Sequence, residues 1–296
     1  MDVSVVILNY NTFDLTCQCV ESVYEHTKSI RFEIIIVDNA STECPPSLFK
    51  QRFPDIQLIE SESNLGFAKG NNLALPYAKG QTILLLNSDT VLCNDAIGIA
   101  YQKMKTDPTI GALSAKLLYT NGKIQPCANR FPSIQTELIE LFRLQKIFPS
   151  KKAVWLLGFF FDHKKEIEAD WIWATFFMTR QEIIHQFTGG KLCDDFFMYG
   201  EDMQWCYEIK QMGYRIVYYP EAEVIHYISV STNKDKSIDK KMLMLQHEYY
   251  FLRKYYGEKR AKVIFWLKSL KYRSLSSRNI NFRQLADLYS HKKNWQ

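Results

Sequence analysis

Apolar runs and amphipathic stretches take turns along the first third of the chain. VSVVIL at 3–8 is apolar but for one serine and predicts a strand. TFDLTCQCVESVYEHT at 12–27 sets Leu15, Cys19 and Val23 four residues apart, which is helical spacing. FEIIIVD (32–38) predicts a second strand, PPSLFKQRF (45–53) a short helix opened by proline, and IQLIE (56–60) a third strand. GFAKGNNLALPYAKG (66–80) is helical in its middle, and TILLLN (82–87) predicts a fourth strand. Such alternation with strands that are apolar on both faces implies a parallel sheet covered by helices, joined by right-handed crossovers. Sites in open sheets of this kind lie beyond the carboxyl ends of the strands.

Polar residues gather at those ends. NYNT (9–12), DNAST (38–42), SESNLGF (61–67) and NSDT (87–90) follow the four strands in turn. The second half is less regular. IGALSAKLLY (110–119) predicts a strand and the Asn-Gly pair 121–122 a hairpin turn. WIWATFFMT (171–179) reads as a strand, GEDMQWCYEIKQMG (200–213) as a helix ended by Gly213, and YRIVYYP (214–220) and AEVIHY (222–227) as two short strands. Residues 134–165 have no clear period, and the chain reads as helical from about 240.

Composition narrows the picture. With 296 residues, 47% of them apolar, the chain can bury a sizeable core, which excludes global disorder. MDVSVVILNY has no basic leader region, so no signal peptide is expected, and the longest apolar run, AVWLLGFFF (153–161), is too short to span a bilayer. Seven scattered cysteines without a CxxC pair predict buried thiols in a reducing cytosol. The net charge of +5 divides into +11 over 233–296 and −6 over the rest, so a basic tail is expected to face an anionic surface. The turn after the first strand has no glycine, which excludes the GxGxxG dinucleotide fingerprint, and GxxxxGK[ST] is absent too. A nucleotide can still sit at the rim, with Asp38 and Asn39 facing base or ribose and Asn9 nearby.

VSVVILNYNTFDLTCQCVESVYE, IIIVDNAST, NLGFAKGNN, LLLNSDTVL and FFMYGEDMQWCYEIKQMGYRIVYYPEAEVIHY occur in order across roughly 3–257. Together they resemble the family 2 glycosyltransferases, in particular the bacterial rhamnosyltransferase-like branch. The resemblance implies an α/β GT-A (nucleotide-diphospho-sugar transferase) fold with a mostly parallel central sheet flanked by helices. It also implies a nucleoside-diphosphate sugar donor, dTDP-rhamnose or a UDP-sugar, and inversion at the anomeric carbon. A catalytic domain is expected over 1–232, with its donor half at about 1–118 and its acceptor half at about 119–232. A basic helical extension is expected over 233–296.

The resemblance assigns donor binding to Asn9, Asp38, Asn39, Asn64, Gly66, Lys69, Asn72, Asn87, Ser88 and Asp89. It assigns a divalent metal, Mg2+ or Mn2+, to Asp89 and His226. A hard cation there would offset the charge that grows on a departing diphosphate. Transfer to a sugar hydroxyl needs a carboxylate to take the proton, and an oxocarbenium-like transition state favours nearby negative charge. The motif places that base at Asp202. Glu201 points about 100° away on the same helix, so it is expected to orient the acceptor or cap the helix. Asp194, Asp195, Trp173 and Ala174 fall on the acceptor side. The sequence departs from the family pattern at Asn87, where an acid is usual, at Gln204 and Glu208, where an acid and an arginine are usual, and at Ala174, where glycine is usual. The acceptor is expected to be a lipid-linked saccharide in cell-surface polysaccharide synthesis.

The stretch 259–273 mixes basic residues with Val263, Phe265, Trp266 and Leu270, the composition of a helix at a membrane surface. The expected location is cytoplasmic, peripheral on the inner membrane face. No nucleic-acid motif accompanies the basic tail. Two rivals stand beside the transferase: a catalytically silent nucleotide-sugar-binding or scaffold protein on the same fold, and a nucleotidyltransferase. The second lacks the glycine- and arginine-rich loop expected after the first strand.

Overall fold

The four apolar runs of the first third form β1 (Val3–Asn9), β2 (Phe32–Asp38), β3 (Gln57–Glu60) and β4 (Thr82–Asn87), all parallel, in the order β3-β2-β1-β4. The computed structural model describes residues 1–144, 156, 161–227, 237–276 and 280–290. Val5, Val6 and Ile7 of β1, Ile35, Ile36 and Val37 of β2 and Ile83, Leu84 and Leu85 of β4 are wholly buried, as expected of strands covered on both faces. The crossovers carry α1 (Phe13–His26), α2 (Ser47–Arg52) and α3 (Phe67–Asn72). α3 is shorter than its apolar pattern; a single 3-10 turn, Leu75–Tyr77, with Pro76 inside it, follows.

The sheet then becomes mixed. β5 (Thr90–Leu92), α4 (Ala96–Thr106), β6 (Ile110–Leu118), β7 (Ile124–Gln125) and β8 (Ala128–Asn129) follow in the chain. Later come β9 (Ile167–Ala169), β10 (Trp171–Ile172) and β11 (Phe176–Arg180). β11 enters antiparallel between β4 and β6. β12 (Arg215–His226) runs parallel to β6, and β5 closes the far edge antiparallel to β12. β7 pairs with β6, β9 with β12, and β8 with β10 as a separate two-stranded sheet.

Two predicted strands come out differently. The run 171–179 splits: Trp171 and Ile172 pair with β8, Trp173–Thr175 leave the sheet, and the chain re-enters as β11. The two strands predicted over 214–227 are one, bent by a register shift between Tyr219 and Glu223. Pro220 lies in that bulge, where a missing N–H costs no ladder bond. The helix α6 (Gln181–Ile184) is a single turn, and α7 (Glu201–Gln211) occupies the predicted 200–213 helix. All seven cysteines are free; Cys17, Cys19, Cys127 and Cys206 are buried, while Cys44, Cys93 and Cys193 are partly exposed. Burial pushes the Cys19 and Cys127 thiols up to about 12, so they remain protonated packing groups.

The chain divides into two compact units. One comprises residues 1–129 and 162–231 and holds the sheet. The other comprises 130–161 and 232–296. Its described helices are α5 (Ile134–Leu141), α8 (Ser237–Tyr256), α9 (Glu258–Leu275) and α10 (Ile280–Ser290). Ser133 caps α5 by accepting from the Thr136 N–H. Gly257, at φ 85, makes the break between α8 and α9. Phe265 of α9 meets Tyr249 and Tyr289 at ring distances of 4.9 and 5.1 Å. The interior is also ionic. Lys271 Nζ donates to Glu137 Oε2 (2.6 Å) and Glu140 Oε2 (2.9 Å), and Lys268 pairs with Glu248. Burial disfavours both ammonium groups, but the carboxylates around them outweigh it and hold the lysines charged. The apolar segment 153–161 lies outside the described residues apart from Leu156 and Phe161.

Removing one partner of such a pair strands the other. Lys271→Met should therefore destabilise this unit by about 3–5 kcal/mol, read as a fall in the urea midpoint of the full chain.

Candidate active site

The polar strand ends do converge, through hydrogen bonds rather than proximity alone. Asn9, at the end of β1, donates from Nδ2 to Asp38 Oδ2 (2.7 Å) and Ser41 Oγ (2.9 Å). Its Oδ1 accepts from the Thr12 and Thr16 hydroxyls. All of the Asn9 amide is thus used inside the protein, and its side chain ties the first turn to the second. Asp38, 2% exposed, takes the Ser41 N–H on its other oxygen. The Thr12 hydroxyl is also 3.1 Å from the Ser88 hydroxyl, which joins the first turn to the fourth and explains why Thr12 makes no helix cap.

The third strand end is fastened to the second by Asn39. Its Nδ2 donates to Asn64 Oδ1 (2.9 Å) and its Oδ1 accepts from the Leu65 N–H. Asn64 Oδ1 also takes the Gly66 N–H. Gly66 sits at φ 80, and a Cβ there would lie 2.2 Å from the Phe197 carbonyl oxygen; only glycine fits. Lys69 is exposed on α3. Asn72 turns elsewhere, clasping the Leu192 backbone with both amide atoms.

Asp89 follows β4 and meets His226 at the end of β12. Sheet register brings them together: His226 stands opposite Thr90, and the Tyr227 N–H donates to the Asp89 carbonyl at 2.9 Å. The side chains face each other with Nε2 and Oδ1 3.3 Å apart, and both are largely buried. Gln125 Oε1 is 2.9 Å from the other ring nitrogen, Nδ1.

Glu201 and Asp202 open α7 behind Gly200, whose φ is 121. Asp202 accepts from the Met203 N–H (2.8 Å) and from the Ala174 N–H. Burial raises its carboxyl pKa above the usual range, and those backbone donors only partly offset it. Burial, then the charge of Asp202, raises Glu201 further still; its Oε2 has no hydrogen-bond partner among the described residues. The two acidic centres are linked through the break between β10 and β11. Ala174 donates to Asp202, and the next residue, Thr175, accepts the Asn87 N–H at 3.0 Å. Asp202 and the Asn87–Asp89 turn therefore flank the same two residues of chain.

The remaining predicted residues fall around this rim. Asp194 is ion-paired with Lys191 at 2.9 Å, and Asp195 accepts from Gln204 Nε2 at 2.7 Å. An acid at 204, usual in the family pattern, would repel Asp195; the amide bonds to it instead. Trp173 is partly exposed, and its N–H donates to the Cys127 carbonyl. Three residues at the rim went unremarked in the sequence: Gln125, Thr175 and Phe197. Phe197 carries a half-exposed ring, and its carbonyl accepts the Phe67 N–H at 2.7 Å. Only Phe197 left a trace, as part of an aromatic cluster just before two acids.

The site suits a divalent cation bridging to phosphate. Asp89 and His226 bring one oxygen and one nitrogen to 3.3 Å of each other, and the buried Asn87 Oδ1 two residues from Asp89 has no partner among the described residues. No cluster of three or more His, Cys, Asp and Glu occurs among the described residues. A cation here would take its other positions from a ligand, as magnesium sites completed by substrate phosphates do.

Comparison with known proteins gives a consistent result. The family model "Glycosyl transferase family 2" matches residues 4–151. The chain is 23% identical over 227 residues to N-acetylglucosaminyl-diphospho-decaprenol L-rhamnosyltransferase of Mycobacterium tuberculosis, covering 68% of each. It is also 23% identical over 231 residues to a low-salt glycan biosynthesis hexosyltransferase of Haloferax volcanii, covering 76% of this chain and 67% of the relative. Among solved structures, a Pyrobaculum calidifontis mannosyltransferase in complex with GDP-Man and Mn2+ superposes with a TM-score of 0.58 at 17% identity. It covers 99% of this chain and 81% of its own. GalNAc-T7 with UDP, GalNAc and Mn2+ gives 0.62 at 15% identity, over 97% and 54%. The fold they share with this chain is GT-A.

The Gly66 contact generates a test. Gly66→Ala should push the Phe197 segment outward and destabilise the protein by more than about 1 kcal/mol, seen as a lowered thermal midpoint.

Proposed function

We propose, from the premise that the chain belongs to glycosyl transferase family 2, that it transfers a sugar with inversion from a nucleoside-diphosphate donor to a saccharide hydroxyl. The observation that carries this reading is the linkage of the Asp89–His226 pair to Asp202 through Ala174, Thr175 and Asn87. One centre suits the diphosphate, the other suits the incoming hydroxyl, and two residues of backbone separate them.

In this reading Asp202 takes the proton of the acceptor hydroxyl as that oxygen bonds to the anomeric carbon. The bond from that carbon to the diphosphate oxygen breaks, and the nucleoside diphosphate leaves. A single displacement from the face opposite the leaving group inverts the configuration. Two backbone N–H donors hold the Asp202 carboxylate in place, so it need not reorganise as the proton arrives. Mg2+ or Mn2+, held by Asp89 and His226 when bound, supplies positive charge to the departing diphosphate. Asp38, Asn39, Asn64 and Gly66 shape the nucleotide side; Glu201, Asp194, Asp195, Trp173 and the Phe197 ring face the acceptor.

The name of the rhamnosyltransferase relative supports a rhamnosyl donor and a lipid-linked acceptor; we propose dTDP-rhamnose as the donor, with a UDP-sugar second, and a role in cell-surface polysaccharide synthesis. With such an acceptor we propose a cytoplasmic, membrane-peripheral setting. No described helix is long and apolar enough to cross a membrane. α9 instead exposes Trp266 (60%) and Val263 (40%) beside Lys259, Lys262 and Arg273, a surface suited to an anionic leaflet.

Asp202→Asn should lower kcat by about 100-fold or more while calorimetry still detects nucleoside-diphosphate binding; an unchanged kcat rejects Asp202 as base. Because its pKa is raised, wild-type turnover should fall on acidification already above the ordinary carboxylate value of about 3.9. Trp266→Ser should reduce co-sedimentation with phosphatidylglycerol vesicles without altering turnover of a water-soluble acceptor; unchanged sedimentation rejects the membrane face.

A further inference from the structure

We infer that Gln125 is a positioning residue for the Asp89–His226 pair: it selects the imidazole tautomer and keeps the bare nitrogen aimed at Asp89. The inference rests on the metal-holding reading of that pair given above.

Gln125 lies on β7, antiparallel to β6, and is wholly buried. Its Nε2 is 3.2 Å from the Leu118 carbonyl oxygen and 2.8 Å from the His226 carbonyl oxygen. Carbonyl oxygens only accept, so both amide hydrogens are used there. The amide oxygen must then be the atom facing His226 Nδ1 at 2.9 Å. That oxygen also only accepts, so Nδ1 carries the hydrogen. In the neutral ring Nε2 is left with its lone pair, directed at Asp89 Oδ1 3.3 Å away. A proton on Nε2 shared with the Asp89 carboxylate satisfies this pair, and a divalent cation bound by both atoms would take that proton's place.

The hold is hard to reverse. Flipping the amide would set its oxygen against the Leu118 and His226 carbonyls, losing two hydrogen bonds and adding two repulsions. Gln125 also grips His226 at two points, its backbone carbonyl and its ring, so strand and imidazole are fixed together. Partners in this outer position set ligand orientation in metal sites, and their loss typically weakens metal affinity by about 10–100-fold.

The test uses the metal-free full chain first. Imidazole 15N shifts recorded across pH should show His226 protonated on Nδ1 throughout, with Nε2 the nitrogen left bare when the ring becomes neutral. The signal is identified by its loss in His226→Asn. The opposite tautomer overturns the inference, and this measurement needs no variant that must fold. Second, Mn2+ is titrated against wild type and Gln125→Met in the presence of dTDP, read by electron paramagnetic resonance. Affinity should fall by about 10–100-fold; equal affinity in a variant that still unfolds cooperatively overturns it. A wild type with a bare Nε2 that binds no Mn2+ sinks the metal reading and leaves the Gln125 hold on the ring standing.

Discussion

The phase of β12 against its neighbours governs the site. β12 is laid along β6 from Arg215 to Tyr219, slips at the bulge around Pro220, and resumes from Glu223 to Ile225. The resumed segment pairs with β5 so that His226 lies opposite Thr90. Side chains alternate faces along a strand, so one residue of slip would send His226 to the other side of the sheet and away from Asp89. The bulge therefore sets the geometry of a site six residues further along the chain.

A second constraint acts between β4 and β6. β11 runs antiparallel there, with Phe176, Phe177 and Met178 wholly buried. To enter in that direction the chain must first leave the small β8–β10 sheet and turn through Trp173–Thr175. Backbone groups in that turn are not all used by the sheet, and two of them serve the rim: the Ala174 N–H and the Thr175 carbonyl. The polar work of the site is thus done largely where regular pairing lapses. The same burial that keeps those groups dry lifts the Glu201 and Asp202 carboxyls out of the usual range.

Much of this was legible in the sequence because the first four strands are local and strongly patterned. Apolar runs ending in NYNT, DNAST, SESNLGF and NSDT place their polar residues on one rim by topology alone. The roles expected of Asp89, Asp202 and His226 rest on family resemblance and not on periodicity. What stayed hidden depends on long-range pairing. WIWATFFMT has strand propensity throughout, and nothing local announces that Ala174 and Thr175 will leave the sheet. Pro220 suggested two strands where partners on both sides hold one together. Gln125 is a lone polar residue after a hairpin turn; its relation to His226, 101 residues away, exists only in the folded sheet.

The loop from Leu192 to Gly200 is fastened partly by its own backbone, beside the side-chain pairs Lys191–Asp194 and Gln204–Asp195. Asn72 grips the Leu192 peptide groups, the Trp205 indole donates to the Cys193 carbonyl, and the Phe67 N–H reaches the Phe197 carbonyl. None of these backbone attachments depends on which side chain the loop residue bears. Positions such as 194 and 197 can accordingly be exchanged in the course of evolution while the scaffold beneath them stays fixed. Such a loop can vary its exposed side chains without disturbing the backbone contacts that hold it to α3 and α7.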